Sequence, residues 1–245
     1  MDYQLVKKIL SKKKNIVITT HKTPDGDALG SSLALLSAFN DYHSVHVIVP
    51  NEFPNNLQFL PLSEQVIIYE TEISKSNDLI QQADLIFCLD FNKLYRTYTM
   101  SDSLSKSSAY KLMIDHHEEP DLFCDQILSN PSICSTAELV YEFLNSINVA
   151  LNKNIAVSLY TGIITDSGSL KYPNVTSNTH LIVSKLMEYN IDHAHIHRKL
   201  FDSQNKSRFE LLKICLNNLK LFKNETIALT YLMEDDLMSF NYKKG

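Results

Sequence analysis

The sequence predicts an α/β protein: a mainly parallel sheet covered by helices on both faces, followed by a short C-terminal α/β piece. Three observations carry this. Nearly continuous apolar runs of about four to eight residues, rich in β-branched and aromatic types, recur along the chain, as strands buried on both faces require. These runs alternate with segments of helical periodicity. Acidic and imidazole residues follow the ends of several runs, and open parallel sheets place their chemistry at the carboxyl ends of strands.

Taken in order, a helix to about Lys13 precedes a first strand, Asn15 to Thr20, and Asp27 to Asn40 reads as a helix whose N-terminus faces the strand end. Val45 to Val49 and Val66 to Tyr69 read as strands, and Asn77 to Gln82 as a short helix leading into the strand Asp84 to Leu89. Tyr110 to Ile114 is a further strand, and Glu138 to Asn145 an amphipathic helix. Ala156 to Thr165 reads as a helix delivering Asp166, and Asn178 to Tyr189 closes the domain. Phe201-Asp202-Ser203-Gln204-Asn205 is a polar break, followed by a helical pattern from Arg208 to Phe222 and a strand from Thr226 to Leu232.

The residues at the strand ends point to a chemistry. His21-Lys22-Thr23-Pro24-Asp25-Gly26-Asp27-Ala28 follows the first strand, Asp90 ends the Asp84 run, and Asp115-His116-His117 follows Tyr110 to Ile114. Phosphate esters are anionic and repel hydroxide. Enzymes that hydrolyse them commonly hold two divalent cations roughly 3.5–4 Å apart, which activate water and neutralise the attacking and leaving oxygens. Such a pair needs several carboxylates, one of them bridging. In Asp25-Gly26-Asp27 two carboxylates flank the smallest residue, so one turn can serve two ions, and glycine permits a tight backbone there. Carboxylate mixed with imidazole, and no thiolate, favours manganese, although ligand type alone also admits magnesium, cobalt or iron.

At these residues the chain resembles the DHH phosphoesterase superfamily, and within it the bacterial oligoribonucleases that also remove phosphate from 3′-phosphoadenosine 5′-phosphate. The resemblance spans about residues 1–200 and rests on His21-x-x-Pro24-Asp25-x-Asp27-Ala28-x-Gly30-Ser31, Asp90, Asp115-His116-His117, Ser135-Thr136-Ala137-Glu138 and Thr165-Asp166-Ser167-Gly168. It implies that His21 and Asp25 hold one manganese, that Asp27, His116 and Asp166 hold a second, and that Asp90 bridges both. It further implies that Asp90, His116 and His117 form the catalytic set, with His117 on the scissile phosphate and Asp115 orienting its loop. Water would attack phosphorus in line, with no covalent enzyme intermediate.

Substrate contacts are expected from His117, Arg96, Ser135 and Thr136. Ser135 and Thr136 open a helix, where backbone donors suit a phosphate; Glu138 equally completes a plain capping box. Arg96 lies six residues after Asp90, where the family often has an arginine; a surface ion pair is its alternative role. Family members continue into a DHHA1-like substrate-binding domain with a Gly-Gly-Gly-His motif. The five glycines here, at 26, 30, 162, 168 and 245, leave no room for it. The division expected is therefore residues 1–200 as the DHH domain and 201–245 as a linker and the beginning of the second domain, with a competent metal site and an incomplete substrate cleft.

Other patterns weigh less. Asp25 to Gly30 mimics the front of a calcium loop, but Leu36 stands where a bidentate glutamate is needed. His193, His195 and His197 have no carboxylate or cysteine at obvious ligand spacing and read as surface or packing residues, as do His43, His46 and His180. Cysteines 88, 124, 134 and 215 show no paired spacing and read as reduced thiols. Lys7, Lys8, Lys12, Lys13 and Lys14 complement the end of a helix.

Composition bounds the partners. A formal charge of −5 argues against long duplex DNA, which needs a basic stripe. Short single-stranded RNA or small nucleotides fit better, and a homodimer is compatible. No apolar stretch reaches the roughly 18 residues of a membrane span and no signal segment is seen, so a cytoplasmic location without membrane partners is expected. Three functions follow: the manganese phosphoesterase, an inorganic pyrophosphatase or exopolyphosphatase using the same metal ligands, and a non-catalytic nucleotide-binding module. The last predicts a missing ligand, and none is missing.

Overall fold

The computed structural model describes residues 1–202 and 206–239, in two compact units, Met1–Ile196 and His197–Gly245. The sheet of the first unit contains β1 (Asn15–Thr19), β2 (Ser44–Val49), β3 (Ile67–Ile68), β4 (Leu85–Leu89), β5 (Tyr110–Asp115) and β6 (Gln126–Ser129). All pairings are parallel, in the order β3-β2-β1-β4-β5-β6. Strand order reverses between β1 and β4, and the crevice outside the carboxyl ends at such a switch point is where ligands bind in open α/β sheets.

Around the sheet run α1 (Tyr3–Leu10), α2 (Gly26–Phe39), α3 (Ile73–Gln82), α4 (Ser101–Lys106), α5 (Thr136–Ser146), α6 (Lys153–Asp166) and α7 (Ser177–Met187); α8 (His193–His197) follows where the two units divide. Alternation along the strands feeds two cores. Val17, Ile86, Cys88 and Met113 pack with Ile80 of α3, Leu104 of α4 and Met100. On the opposite face Phe87 stacks on Phe39 of α2, centroids 5.8 Å apart, and meets Phe143 of α5 edge-on at 5.8 Å. Helices thus cover both faces, as continuous apolar strands demand.

The strands and helices read from the apolar runs are present, with shifts at their ends. β6 is absent from the sequence reading because Gln126-Ile127-Leu128-Ser129 is a half-buried edge strand with only two apolar residues. The helical turn Leu94–Met100 and α4, between β4 and β5, also escaped it, since the first is a short turn without helical periodicity and polar residues dominate the second. Part of the polar break, residues 203–205, lies outside the described residues.

The second unit, described by itself, contains α9 (Lys206–Asn217), an antiparallel hairpin of β7 (Lys220–Phe222) and β8 (Ile227–Leu229), and α10 (Glu234–Ser239). The helix read to Phe222 stops earlier. Asn217 and Asn218 are weak helix formers, and Lys223, Asn224 and Glu225 all take left-handed φ values of 49°, 53° and 66°, which turn the chain back as a hairpin. Among the described residues no helix is long and apolar enough to cross a membrane, and all four cysteines are free thiols.

Close packing of α2 on α6 fixes the glycines. A Cβ at Gly30 would lie 2.5 Å from the Ser158 carbonyl oxygen, and one at Gly162 would lie 2.6 Å from Ala137 Cβ and 2.9 Å from Asp27 Oδ1. Gly26 has the same reason: its Cβ would strike Thr165 at 2.5 Å. The tight turn expected of it falls to Thr23, the loop residue with positive φ, 54°. Gly30→Ala should therefore force the two helix backbones apart and cost about 1–3 kcal/mol, the usual scale of overpacking, read as a lowered urea midpoint at unchanged slope.

Candidate metal centre

The site forms where β1, β4 and β5 end together. The register pairs Thr19 with Cys88 and Leu89 with Ile114, so His21 and Asp90 each lie two residues past the β1–β4 pairing and Asp115 ends β5 beside Asp90. Asp90 then takes φ 62°, a left-handed conformation that aspartate tolerates better than most residues.

Three groups of ligand atoms result, each with all members within 4.8 Å: His21, Asp25 and Asp90; Asp27, His116 and Asp166; and Asp90, His116 and His117. Asp90 Oδ2 lies 3.3 Å from His21 Nε2, while Oδ1 lies 3.5 Å from His116 Nε2. His116 Nε2 is also 3.5 Å from Asp166 Oδ2 and 4.0 Å from Asp27 Oδ2. The two oxygens of one carboxylate thus face two ligand groups. Six residues proposed from sequence as metal ligands (His21, Asp25, Asp27, Asp90, His116 and Asp166) meet here, although they come from four separate segments.

Local structure orients each ligand. Asp25 caps α2, its Oδ1 accepting from the N–H groups of Asp27 and Ala28 at 3.0 Å each, and its Oδ2 faces His21 at 4.0 Å. His21 Nδ1 is 2.8 Å from the Lys22 carbonyl and His116 Nδ1 is 3.2 Å from that of Ile133. A carbonyl only accepts, so each Nδ1 carries the proton and Nε2 is left to the site. His117 Nδ1 lies 2.7 Å from Asp115 Oδ1, and the His117 N–H donates to Asp115 Oδ2 at 3.2 Å. Asp115, fully buried, belongs to no ligand group among the described residues.

Ser135 and Thr136 depart from the sequence expectation. Both are fully buried. The Thr136 and Ala137 N–H groups donate to Asp27 Oδ2 and Oδ1 at 2.6 and 2.9 Å, and the Thr136 hydroxyl donates to Asp90 Oδ1 at 2.9 Å. The positive end of α5 is spent on the ligands themselves, so these two residues are not placed to receive a substrate phosphate. Ser135 Oγ accepts from the Glu138 N–H at 3.2 Å. The Glu138 carboxylate, however, turns to the hydroxyl of Thr179 at 3.0 Å and the amide of Asn178 at 3.2 Å, tying α5 to α7. Arg96 is half-buried; its carbonyl accepts from the Lys22 N–H at 2.7 Å, and its guanidinium makes no ion pair among the described residues.

Sequence reasoning missed Asn51 and Asn92. Asn51 Oδ1 accepts from the Thr23 N–H at 2.7 Å, and Asn92 Nδ2 donates to the Glu118 carbonyl at 2.7 Å, pinning the loops that carry His21 and His117. Their only sequence signal is a polar residue two or three places past a strand. Among the described residues, no ligand group includes His193, His195 or His197; His195 packs edge-on to Phe59 at 6.1 Å.

Charge tests whether this donor set suits cations. Asp27 is pushed well above the usual carboxylate range, first by burial and then by Asp90, Asp166 and Asp25. Burial, opposed by His116 but aided by Asp90 and Asp25, raises Asp166 to about 6. Burial would also raise Asp90, but the hydrogen bond to His21 and the charges of His21, His116 and His117 outweigh it and hold Asp90 low. Burial likewise opposes the charge on His21, yet Asp90 wins and raises it. Burial and mutual repulsion thus raise the proton affinity of Asp27 and Asp166, and Asp90 that of His21, as in a cluster of acids that a cation would neutralise, and oxygen and imidazole donors suit first-row divalent ions.

A family model described as the DHH family, N-terminal domain, matches residues 15–163. A Streptococcus mutans protein named a probable bifunctional oligoribonuclease and PAP phosphatase NrnA is 27% identical over 96% of this chain and 72% of its own length. A Thermus thermophilus bifunctional oligoribonuclease and PAP phosphatase NrnA is also 27% identical, over 90% of this chain and 64% of its own. The crystal structure of an exopolyphosphatase-related protein from Bacteroides fragilis superposes with a TM-score of 0.94 at 37% identity, covering 99% of this chain and 72% of that one.

Without metal, the raised acids Asp27 and Asp166 and the raised His21 all bind protons more tightly folded than unfolded. Their contribution to stability is present at low pH and is lost as pH rises, through about 4 to 6 for Asp166 and above about 6.5 for His21; Asp90, held low, contributes in the opposite sense only below about 4. A divalent cation reverses this. The increase in Tm on adding manganese to chelator-treated protein should therefore be larger at pH 7.5 than at pH 5, and metal uptake at pH 6 should release protons measurable in weakly buffered solution.

Proposed function

The chain belongs to the DHH family, and on that footing we propose that it is a two-metal phosphoesterase, manganese-dependent, hydrolysing short oligoribonucleotides, linear dinucleotides or 3′-phosphoadenosine 5′-phosphate. The observation that carries the reading is Asp90, a buried carboxylate whose two oxygens face two separate ligand groups. His21 and Asp25 would hold one ion, Asp27, His116 and Asp166 the other, with Asp90 shared between them. The ions would supply a nucleophilic water at neutral pH and charge neutralisation at the transferring phosphoryl group. Asp115 keeps the Nδ1 proton of His117 engaged and leaves Nε2 free, which suits His117 for donating to a phosphate oxygen. Arg96, with no ion-pair partner among the described residues, is kept as a phosphate contact. Thr136 and Ala137 act one layer out, by holding Asp27 and Asp90 in register.

The chain spans 72% and 64% of the lengths of the Streptococcus and Thermus relatives, both named for oligoribonuclease and PAP phosphatase activities. A second reading, cleavage of inorganic pyrophosphate or polyphosphate, uses the same ligands and is favoured by the name of the Bacteroides protein.

The test is manganese-dependent release of mononucleotide from a diribonucleotide, with 3′-phosphoadenosine 5′-phosphate and pyrophosphate in parallel. We expect nucleotide release to dominate; turnover of pyrophosphate alone would establish the second reading. Asp90→Asn, which suits the same left-handed backbone, should fold normally and lose detectable turnover, and Thr136→Val should weaken metal affinity or activity by about 10–100-fold.

A further inference from the structure

We propose that Tyr98, with Lys22 against it, is the platform on which this chain seats the base of a single-stranded nucleotide beside the metal centre. The inference rests on the phosphoesterase reading and narrows it to base-bearing substrates.

Tyr98 stands in the turn Leu94–Met100, which follows Asp90 and is stitched to the His21 loop by the Lys22 N–H to Arg96 carbonyl bond of 2.7 Å. Its backbone takes φ 53° and ψ −123°, the first central position of a type II′ turn, where glycine is normally required. The Tyr98 carbonyl accepts from the Ser101 hydroxyl at 2.7 Å, so the turn is held in place. Burial does not offset the cost of placing a tyrosine there, because the residue is 54% exposed. Its hydroxyl makes no hydrogen bond among the described residues. A large aromatic residue kept in a conformation that disfavours it, and left half in solvent, is a feature that folding alone does not explain.

A charged group lies against the ring: the Lys22 ammonium is 3.5 Å from its centroid. An aromatic face for a base and a cation for the flanking phosphate are the two elements with which proteins hold single strands without reading sequence. Charge makes the cation necessary. Ionised as ligands, Asp25, Asp27, Asp90 and Asp166 would bring four negative charges, which two divalent ions would cancel without surplus, so the phosphate's own charge falls to residues at the rim. Lys22, next to His21 in the chain, is one of them. A base on the ring would complete an ammonium–ring–base stack, whereas pyrophosphate gains nothing from the ring.

The experiment titrates the calcium-loaded 245-residue chain with a diribonucleotide carrying 2-aminopurine, whose fluorescence is quenched on stacking, and separately with pyrophosphate by calorimetry. Tyr98→Gly removes the ring while relieving the backbone, so it should melt no lower than the unsubstituted protein. It should abolish the quench and weaken the dinucleotide by roughly 5- to 150-fold, with a loss at least about fivefold smaller for pyrophosphate. Tyr98→Phe should keep both quench and affinity. Lys22→Gln should weaken both ligands and lower the salt dependence of each. Equal losses for the two ligands in Tyr98→Gly, or undiminished dinucleotide affinity, would overturn the platform alone. An unsubstituted chain that binds pyrophosphate but no dinucleotide would overturn the nucleotide reading and the platform with it.

Discussion

Five aspartates converge where three parallel strands end, three of them almost fully buried: Asp27, Asp90 and Asp115. Like charges gathered in a low-dielectric crevice are costly unless something neutralises them. The structure answers with three imidazoles, two helix N-termini and a raised proton affinity on the acids that burial disfavours as anions. Much of its remaining detail follows from holding that charge in place.

The helix ends show how. Asp25 caps α2 with one oxygen and offers the other to His21. α5 points its first N–H groups at Asp27 rather than at solvent. An N-terminal helix dipole beside a carboxylate is favourable, so both helices are stabilised by the ligands they orient. Asp166 runs the other way: it is the last residue of α6, the negative end, where a carboxylate is disfavoured. Burial adds to that cost. A position that breaks the local rule in the middle of a ligand cluster is one whose residue serves the site rather than the helix.

Close approach of backbones completes the arrangement. Gly30 and Gly162 let α2 meet α6, and Gly26 makes room for Thr165. Gly162 would otherwise crowd Asp27 Oδ1 itself, so the spacing between these helices and the position of a ligand are one constraint. Glu138 extends it outward, joining α5 to Thr179 and Asn178 of α7. The layer behind the carboxylates is thus tied together by short polar bonds and absent side chains, not by apolar packing alone.

The sequence by itself determined the parallel α/β class, the strands β1, β2, β4 and β5, and the identity of the clustered residues, because apolar runs and the acids at their ends are local signals. It read Gly26 as a turn residue and Thr136 as a phosphate donor, since a clash with Thr165 and a bond to Asp27 join residues more than a hundred positions apart. The edge strand β6, the turn around Tyr98, and the loop anchors Asn51 and Asn92 have too little apolar periodicity to be seen. That Asp90 serves two ligand groups was implied only by the resemblance; the tertiary structure alone shows how its two oxygens come to face them. The reversal of strand order between β1 and β4 sets His21 and Asp90 at the same level, and a chain read in one dimension carries no record of which strands will be neighbours.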